Sequence, residues 1–234
     1  MTPKAILLDI EGTTAPISFV AETLFPFAAA RLAAFVQAHA GDPEIAEALA
    51  ETAALEGRAL TTQEAIEVLL GWIAADRKAT PLKTLQGKIW REGYESGAIR
   101  SPVYSDAVAA MRAWKARGVR LDVYSSGSVE AQVLLYRYTA DGDLTPLFDA
   151  YFDTRTGPKL EAASYAKIAK AIGLPAGEVL FLSDAPGEVG AAQAAGMAAI
   201  RIDRALPPGT RRRDADGTWV AADFAGLDEL PVGP

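Results

Sequence analysis

Two acidic residues follow directly on the first apolar run of the sequence. Residues 5–8 are all apolar, which is typical of a strand buried on both faces of a parallel sheet, and Asp9 and Glu11 come immediately after it. Side chains alternate along an extended backbone, so positions 9 and 11 point to the same side. Ligands of open α/β sheets bind at the carboxyl ends of the strands. We therefore interpret Asp9 as a candidate nucleophile and Glu11 as its acid–base partner. The alternative is that Asp9 is a turn residue and Glu11 a solvated charge.

A serine pair follows a later apolar run. Ser125, Ser126 and Gly127 stand between a predicted strand and a predicted helix. Hydroxyls and free backbone N–H groups at a helix start bind anions, helped by the helix dipole. We interpret the pair as a cradle for a phosphate group. The alternative is ordinary helix capping by Ser126 or Ser128.

Lys159 lies in a Gly-Pro loop just before another predicted helix. Its ammonium group is able to neutralise a phosphate and the carboxylate of Asp9 together. The alternative is a solvated surface lysine.

Asp184 follows Ser183 at the end of the predicted strand 179–182. Carboxylates at the ends of neighbouring parallel strands can share a hard cation such as Mg²⁺, so Asp9 and Asp184 form a candidate metal site. Glu188 is then placed to hold a metal-bound water. The alternative is that Asp184 caps the next helix.

The composition sets limits on the class of protein. The chain has 234 residues, half of them apolar, a formal net charge of −7 and no cysteine. The negative charge disfavours nucleic acid and anionic membranes as partners, and the missing cysteines exclude disulfides and thiolate metal sites. We expect no signal peptide, because a strand is predicted to begin near residue 5, and no apolar run of the roughly 18 residues that span a bilayer. We expect a monomeric cytoplasmic protein.

Predicted strands and helices must position these residues. They alternate along the chain, except in one long stretch that contains only helices. Apolar runs predict strands at 5–8, 119–124, 150–152, 179–182 and 198–202, the last being the final parallel strand, with a short strand as an option at Trp219-Val220. Helical spacing predicts four helices in between the first two strands, at 21–40, 42–57, 61–73 and 81–97. Pro26 falls in the first turn of the first of these helices. His39, the only histidine, is given no catalytic role.

This order predicts an α/β fold with an insertion. Strand 5–8 belongs to the sheet of the later strands, so residues 1–15 and 98–234 are expected to form a Rossmann-like parallel-sheet core. Residues 16–97 are expected to form an inserted helical-bundle domain.

The motifs, taken in order, resemble a known superfamily. D-x-E-G-T, S-S-G, a loop lysine and S-D resemble the haloacid-dehalogenase superfamily, and the helical insertion resembles its cap domain. More narrowly, D-I-E-G-T-T, Y-S-S-G-S-V-E-A-Q, G-P-K-L-E-A-A-S-Y and F-L-S-D with A-A-G-M look like the enolase-phosphatase (acireductone synthase) family of methionine salvage. That family has glutamate, as at Glu11, where most of the superfamily has aspartate. One departure is Gly190, where the family tends to show an aspartate, and it bears on the outer shell of the metal.

The resemblance implies roles for the motif residues. Asp9 would be the nucleophile, forming a phospho-aspartyl intermediate, and Glu11 would protonate the leaving oxygen and then deprotonate the attacking water. One Mg²⁺ per chain would be bound by the carboxylates of Asp9 and Asp184 and by the backbone carbonyl of Glu11. Lys159 would offset negative charge. The phosphate oxygens would be held by Ser125 and Ser126.

The resemblance also implies a substrate, 5-(methylthio)-2,3-dioxopentyl phosphate, which is enolised and then dephosphorylated to the acireductone. The inserted domain would close over it and exclude water. One alternative is a phosphatase of the same fold acting on another small phosphate ester. A hydrolytic dehalogenase is disfavoured, because that chemistry needs neither an acid at position 11 nor a metal. A non-catalytic phosphate-binding module is the alternative from another class, and a dinucleotide enzyme is disfavoured because no G-x-G-x-x-G follows the first strand.

Overall fold

The computed structural model describes residues 3–227, and its strands join in one sheet in the order β3-β2-β1-β4-β5-β7-β6. The bounds of the strands are β1 Ala5–Leu8, β2 Arg120–Tyr124, β3 Ala150–Phe152, β4 Val179–Ser183, β5 Ala198–Ile202, β6 Arg211–Arg213 and β7 Trp219–Ala221.

Strand β1 lies in the middle of the sheet, as its uninterrupted apolar sequence predicts. Its residues are fully buried, and it pairs in parallel with β2 on one side and β4 on the other. Leu8 stands in register with Val123 and with Leu182. The carboxyl ends of these three strands therefore meet at one edge of the sheet, which confirms the predicted α/β fold with a Rossmann-like parallel core.

The last two strands differ from the prediction. Strand β7 pairs in parallel with β5, so β5 is not the final parallel strand, and the optional strand at Trp219-Val220 is confirmed. Strand β6 pairs antiparallel with β7 at the edge of the sheet. It consists of three arginines, and the ladder to β7 rather than any apolar alternation makes it a strand.

The helices fall into two groups. The inserted stretch contains α1 Ile17–Phe19, α2 Phe25–Ala38, α3 Pro43–Glu56, α4 Thr62–Ala74 and α5 Thr80–Glu95. The remaining helices are α6 Ser105–Ala116, α7 Val129–Arg137, α8 Ala162–Ile172 and α9 Pro186–Ala194. Local signals account for several of these ends. Asp42 caps α3, Thr61 and Glu64 form the predicted capping box of α4, and Gly173 ends α8 with a left-handed φ of 80°.

Helix α2 begins later than predicted. Val20–Leu24 forms a π-helical turn between α1 and α2, so the prediction of an α-helix from residue 21 is wrong at that end. Pro26 lies in the first turn of α2, as predicted. Proline has no N–H to donate to the preceding turn, and the irregular turn ends two residues before Pro26.

The chain divides into two compact units, one made of the residues up to Ile17 and from Ser101 on, the other of Ser18–Arg100. The second unit has an apolar core of its own, to which Leu32 of α2, Ile45 of α3, Leu69 of α4 and Leu85 of α5 contribute. These four helices thus bury their apolar faces against one another, as in a small helical bundle.

The helical segment Ile17–Ala38 departs from one expectation. It has 22 residues, and its most apolar stretch of 18 residues has a mean hydropathy of 1.5 and is one-third buried, so by length and composition alone it is apolar enough to cross a bilayer. Ala28, Leu32, Phe35 and Val36 are the buried residues of α2, and they pack in the core of the second unit. A core helix of a soluble protein passes the same test of length and composition.

Candidate active site

The carboxylate of Asp9 is in direct contact with the ammonium of Lys159. Asp9 continues β1, and its backbone N–H donates to the carbonyl of Leu182 in β4 at 3.0 Å. Its side chain is buried, and Lys159 Nζ lies 2.5 Å from Asp9 Oδ1. The lysine side chain keeps 10% of its exposure. The two residues are 150 positions apart in sequence, and the fold brings them into a buried ion pair.

The loop that carries Lys159 is fixed by hydroxyl groups. Three consecutive carbonyls each accept a hydrogen bond, that of Gly157 from Tyr124 Oη at 2.9 Å, that of Pro158 from Ser164 Oγ at 2.8 Å and that of Lys159 from Tyr165 Oη at 2.8 Å. Two of the donors lie in α8, which begins three residues after Lys159, and Tyr124 ends β2. These bonds hold the loop backbone to β2 and α8, and they fix the position from which the Lys159 side chain extends.

Glu188 shares the same ammonium. Glu188 Oε2 lies 2.6 Å from Lys159 Nζ and accepts a hydrogen bond from Ser183 Oγ at 2.9 Å. From the sequence, Glu188 is expected to hold a metal-bound water, and this ion pair is not predicted. The sequence feature that points to Glu188 is its spacing of four residues from Asp184, which places it in the first turn of α9.

Thr13 connects Asp9 with Asp184. Its Oγ1 donates to Asp9 Oδ2 at 3.2 Å and accepts from the backbone N–H of Asp184 at 2.9 Å. A hydroxyl is both donor and acceptor, so it suits this bridging position. Thr13 belongs to the D-I-E-G-T-T motif, but the sequence does not predict this bridge; its position four residues after Asp9 is the available signal.

Gly12 allows the Asp184 carboxylate to approach the turn after β1. Gly12 has a φ of +72°, and a Cβ built on it would collide with the carboxylate of Asp184. Both the backbone conformation and the space therefore require glycine. Glu11 lies in this turn, half-buried, and its backbone bridges to Ala15.

Burial and mutual repulsion shift the pKa values of the cluster. Burial, Asp9 and Glu188 together raise the pKa of Asp184 from 3.8 to about 6, and Lys159 only partly opposes them. Burial and Asp9 likewise raise the pKa of Glu188. Burial lowers the pKa of Lys159, but the charges of Asp9 and Glu188 raise it by more, so its net pKa shift is upward and the amine remains an ammonium.

The serine pair follows β2, the strand beside β1. Ser125 is buried and its backbone N–H donates to the carbonyl of Phe152 at 3.1 Å, whereas Ser126 is exposed. Ser128 caps α7 by accepting from the N–H of Ala131 at 3.2 Å. The residue that caps this helix is therefore Ser128 and not Ser126. The loop is fixed further by Gln132, whose Nε2 donates to the carbonyls of Gly127 and Phe152 at 2.8 and 2.9 Å.

The oxygen groups at this edge of the sheet fit a hard cation. Asp9, Asp184 and Glu188 bring three carboxylates to a cluster in which Lys159 supplies the ammonium, and a divalent cation would offset the remaining negative charge. Within residues 3–227, no group of three or more His, Cys, Asp or Glu side chains has the arrangement of a metal site. The predicted ligand set has only two carboxylates, since its third protein ligand is a backbone carbonyl, that of Glu11.

Gly190, the departure from the family pattern, lies in α9 two residues after Glu188. A Cβ built on Gly190 would meet no atom within 4 Å. Two residues along an α-helix correspond to a rotation of about 200°, so positions 188 and 190 face nearly opposite ways.

Comparisons with known proteins agree on one family. The family model described as a haloacid dehalogenase-like hydrolase matches residues 3–196. The chain is 57% identical to the enolase-phosphatase E1 of Pseudomonas aeruginosa strain UCBPP-PA14, over 97% of this chain and 99% of that protein. It is 55% identical to the enolase-phosphatase E1 of Parvibaculum lavamentivorans, over 87% of each chain.

A solved structure is similar over nearly the whole chain. The crystal structure of the UTR4 protein from Saccharomyces cerevisiae matches with a TM-score of 0.78 and 38% identity, and the match covers 96% of this chain and all of that one. Together with the sheet order and the cluster at the strand ends, these similarities show that the chain belongs to the enolase-phosphatase E1 family of haloacid dehalogenase-like hydrolases.

Proposed function

We propose that this chain is a Mg²⁺-dependent enolase-phosphatase of methionine salvage. It would convert 5-(methylthio)-2,3-dioxopentyl phosphate to the acireductone 1,2-dihydroxy-5-(methylthio)pent-1-en-3-one and phosphate. The family relatives named enolase-phosphatase E1 support the reaction. The observation that carries the residue roles is the contact of Lys159 Nζ with Asp9 Oδ1 at the carboxyl ends of the central strands.

Asp9 is the nucleophile in this proposal. One oxygen of its carboxylate attacks phosphorus, the bond from phosphorus to the substrate oxygen breaks, and a phospho-aspartyl group remains on the protein. Glu11 protonates the departing oxygen and later takes a proton from the water that attacks phosphorus and regenerates Asp9. Thr13 Oγ1 holds the other carboxylate oxygen of Asp9 and so limits its rotation.

An anionic nucleophile and an anionic phosphate repel each other, so the site needs positive charge. Lys159 supplies it from the protein and, being held by Asp9 and Glu188, does not need to be reoriented when the substrate arrives. Bound Mg²⁺, one per chain, would supply further charge neutralisation. Asp9, Asp184 and the carbonyl of Glu11 would hold it.

The phosphate oxygens are assigned to the loop after β2. Ser125 and the backbone N–H of Ser126 would donate to them, and Gln132 would keep this loop in place through its two carbonyl contacts. The helical unit Ser18–Arg100 would serve as the cap that excludes water from the reaction. The net charge of −7 supports a small-molecule partner rather than nucleic acid, and we propose a cytoplasmic monomer.

A panel assay on the purified full chain tests the proposal. The diketone phosphate and several other phosphate monoesters are supplied with Mg²⁺, and phosphate release is followed together with the absorbance of the enediol. We expect both signals from the diketone phosphate, loss of both on addition of EDTA, and loss of phosphate release in Asp9→Asn.

Each other outcome identifies an alternative. Phosphate release from simple esters without an enediol from the diketone would indicate another phosphatase of the same fold. Mg²⁺-dependent phosphate binding without turnover would indicate a binding module, and hydrolysis that survives EDTA would indicate a dehalogenase-type site.

A further inference from the structure

Arg204 reaches from the segment after β5 to the turn after β1. Its guanidinium donates twice to the backbone carbonyl of Thr13, from Nη2 at 2.7 Å and from Nε at 3.2 Å. No motif of the sequence includes this arginine. The contact therefore links the segment after β5, the second strand from β1 on that side of the sheet, to the turn that follows β1.

Thr13 is the residue through which such a contact can affect the chemistry. Its hydroxyl bonds both the carboxylate of Asp9 and the backbone N–H of Asp184. A shift of the Thr13 peptide would move this hydroxyl, and with it the carboxylate of Asp9 and the backbone from which the Asp184 side chain extends. In the described part of the chain, Arg204 contacts this turn at the Thr13 carbonyl and does not pair with the carboxylate of Asp9 or Asp184.

Arg204 is itself fixed on several sides. Nη1 lies 2.7 Å from Asp106 Oδ2, and the same oxygen accepts from the backbone N–H of Phe224 at 2.9 Å. The guanidinium lies over the ring of Tyr104 at 4.1 Å, and the backbone N–H of Tyr104 donates to the carbonyl of Thr14 at 2.9 Å. Such a planar, partly buried group with several fixed donors cannot be replaced by the single ammonium of lysine.

We propose that Arg204 is a positioning residue for the phosphatase reaction, acting through Thr13 to set the orientation of Asp9 and Asp184. The inference rests on the proposed function of this site. A displacement of reacting groups by about 1 Å can reduce a rate by about 10²-fold, so a support that contacts no substrate can still control kcat.

The chain offers a matched control in Arg211. Arg211 Nη2 pairs with Asp223 Oδ1 at 2.6 Å and donates to the carbonyl of Ala225, and its side chain is 19% exposed against 17% for Arg204. Arg211 holds residues 223–225 directly, and Arg204 is linked to Phe224 through Asp106. Among the described residues, Arg211 does not contact the turn after β1. Loss of either ion pair should therefore lower stability similarly, and only loss of Arg204 should affect the site.

The experiment compares Arg204→Met, Arg204→Lys and Arg211→Met in the full chain. We measure kcat and KM for the diketone phosphate, Mg²⁺ affinity by calorimetry, and Tm. For Arg204→Met we expect kcat to fall about 10- to 100-fold with KM changed by less than about 3-fold. We also expect several-fold weaker Mg²⁺ binding, with Arg204→Lys restoring little of either and Arg211→Met near the wild type in both.

Equal kcat and Mg²⁺ affinity in Arg204→Met and Arg211→Met would overturn the inference. Should Arg204→Met fail to fold, Asp106→Asn releases one side of the guanidinium and is judged by the same criteria. Should the wild type release no phosphate, the proposed function fails, and the calorimetric comparison of the arginine variants still decides whether Arg204 orders the carboxylates.

Discussion

The ammonium of Lys159 serves two carboxylates at once, those of Asp9 and Glu188. Replacing it by methionine keeps the length of the side chain and removes the charge that offsets them. We expect Lys159→Met to reduce phosphate release by at least about 10²-fold, because both the approach of an anionic substrate and the charge at phosphorus lose their support.

The control for that substitution is Lys167→Met. Lys167 belongs to the following helix and donates to the carbonyl of Thr156 at 3.1 Å from an exposed position. Steady-state kinetics with saturating Mg²⁺ measures both variants. A Lys159→Met protein as active as Lys167→Met would contradict the role given to the ammonium.

Asp184 predicts a pH dependence of stability in the metal-free protein. Its pKa is raised from 3.8 to about 6, chiefly by burial and then by Asp9 and Glu188. An acid with a raised pKa in the folded state stabilises that state below its unfolded pKa, and this contribution disappears as the pH rises through the folded pKa. Since the side chain is only half-buried, we expect a discounted loss on the order of 1–2 kcal/mol between about pH 4 and pH 6.

Chemical denaturation in EDTA across that range measures this loss. Asp184→Asn removes the titrating group and should show a correspondingly shallower fall in the free energy of unfolding. Identical pH profiles for the two proteins would contradict the assignment.

At the scale of elements, the loop 157–159 depends on hydroxyl donors from its neighbours. Tyr165→Phe removes the donor to the Lys159 carbonyl, and we expect it to lower the free energy of unfolding by about 1 kcal/mol and to reduce kcat. Tyr151→Phe is the matched control, because the Tyr151 hydroxyl is buried and has no hydrogen-bond partner within residues 3–227. Denaturation and kinetics of the pair decide the point, and a Tyr165→Phe protein indistinguishable from Tyr151→Phe would refute it.

The turn after β1 requires glycine at position 12. Gly12→Ala would place a methyl group against the Asp184 carboxylate at a φ of +72°, so we expect weaker Mg²⁺ binding by calorimetry and a large loss of activity. Gly190→Ala is the control in open helical space, and it should stabilise α9 by up to about 1 kcal/mol without reducing activity. Retention of wild-type Mg²⁺ affinity in Gly12→Ala would show that the carboxylate does not need this space.

The sequence predicts elements best where the signals are local. The burial of β1, the cap at Asp42 and the capping box at Thr61 all follow from a few adjacent residues. The π-helical turn Val20–Leu24 and the edge strand β6 were not predicted, since their conformations depend on neighbouring chain rather than on their own pattern.

The site shows the same division. Strand ends that meet at one edge of a sheet make Asp9, Ser125 and Asp184 visible as candidates in the sequence. The bridging hydroxyl of Thr13, the Glu188–Lys159 ion pair and the Arg204 contact depend on side-chain directions and distances that no spacing specifies.

At the scale of the whole molecule, the candidate chemistry is confined to one of the two compact units. Asp9, Ser125, Lys159 and Asp184 all belong to the unit that holds the sheet, and the helical unit Ser18–Arg100 has a separate core. The proposed nucleophile, the ammonium of Lys159 and the proposed metal ligands are thus brought to a single sheet edge, from segments on both sides of the insertion.

The most direct test of this assembly is to trap the intermediate on the whole enzyme. The full chain is mixed with the diketone phosphate and Mg²⁺, quenched early in turnover, treated with borohydride and digested for mass spectrometry. Reduction of an aspartyl phosphate yields homoserine, and we expect this conversion at position 9 and its absence in Lys159→Met and in unreacted protein. Steady phosphate release with position 9 unmodified, or modification at another carboxylate, would contradict it.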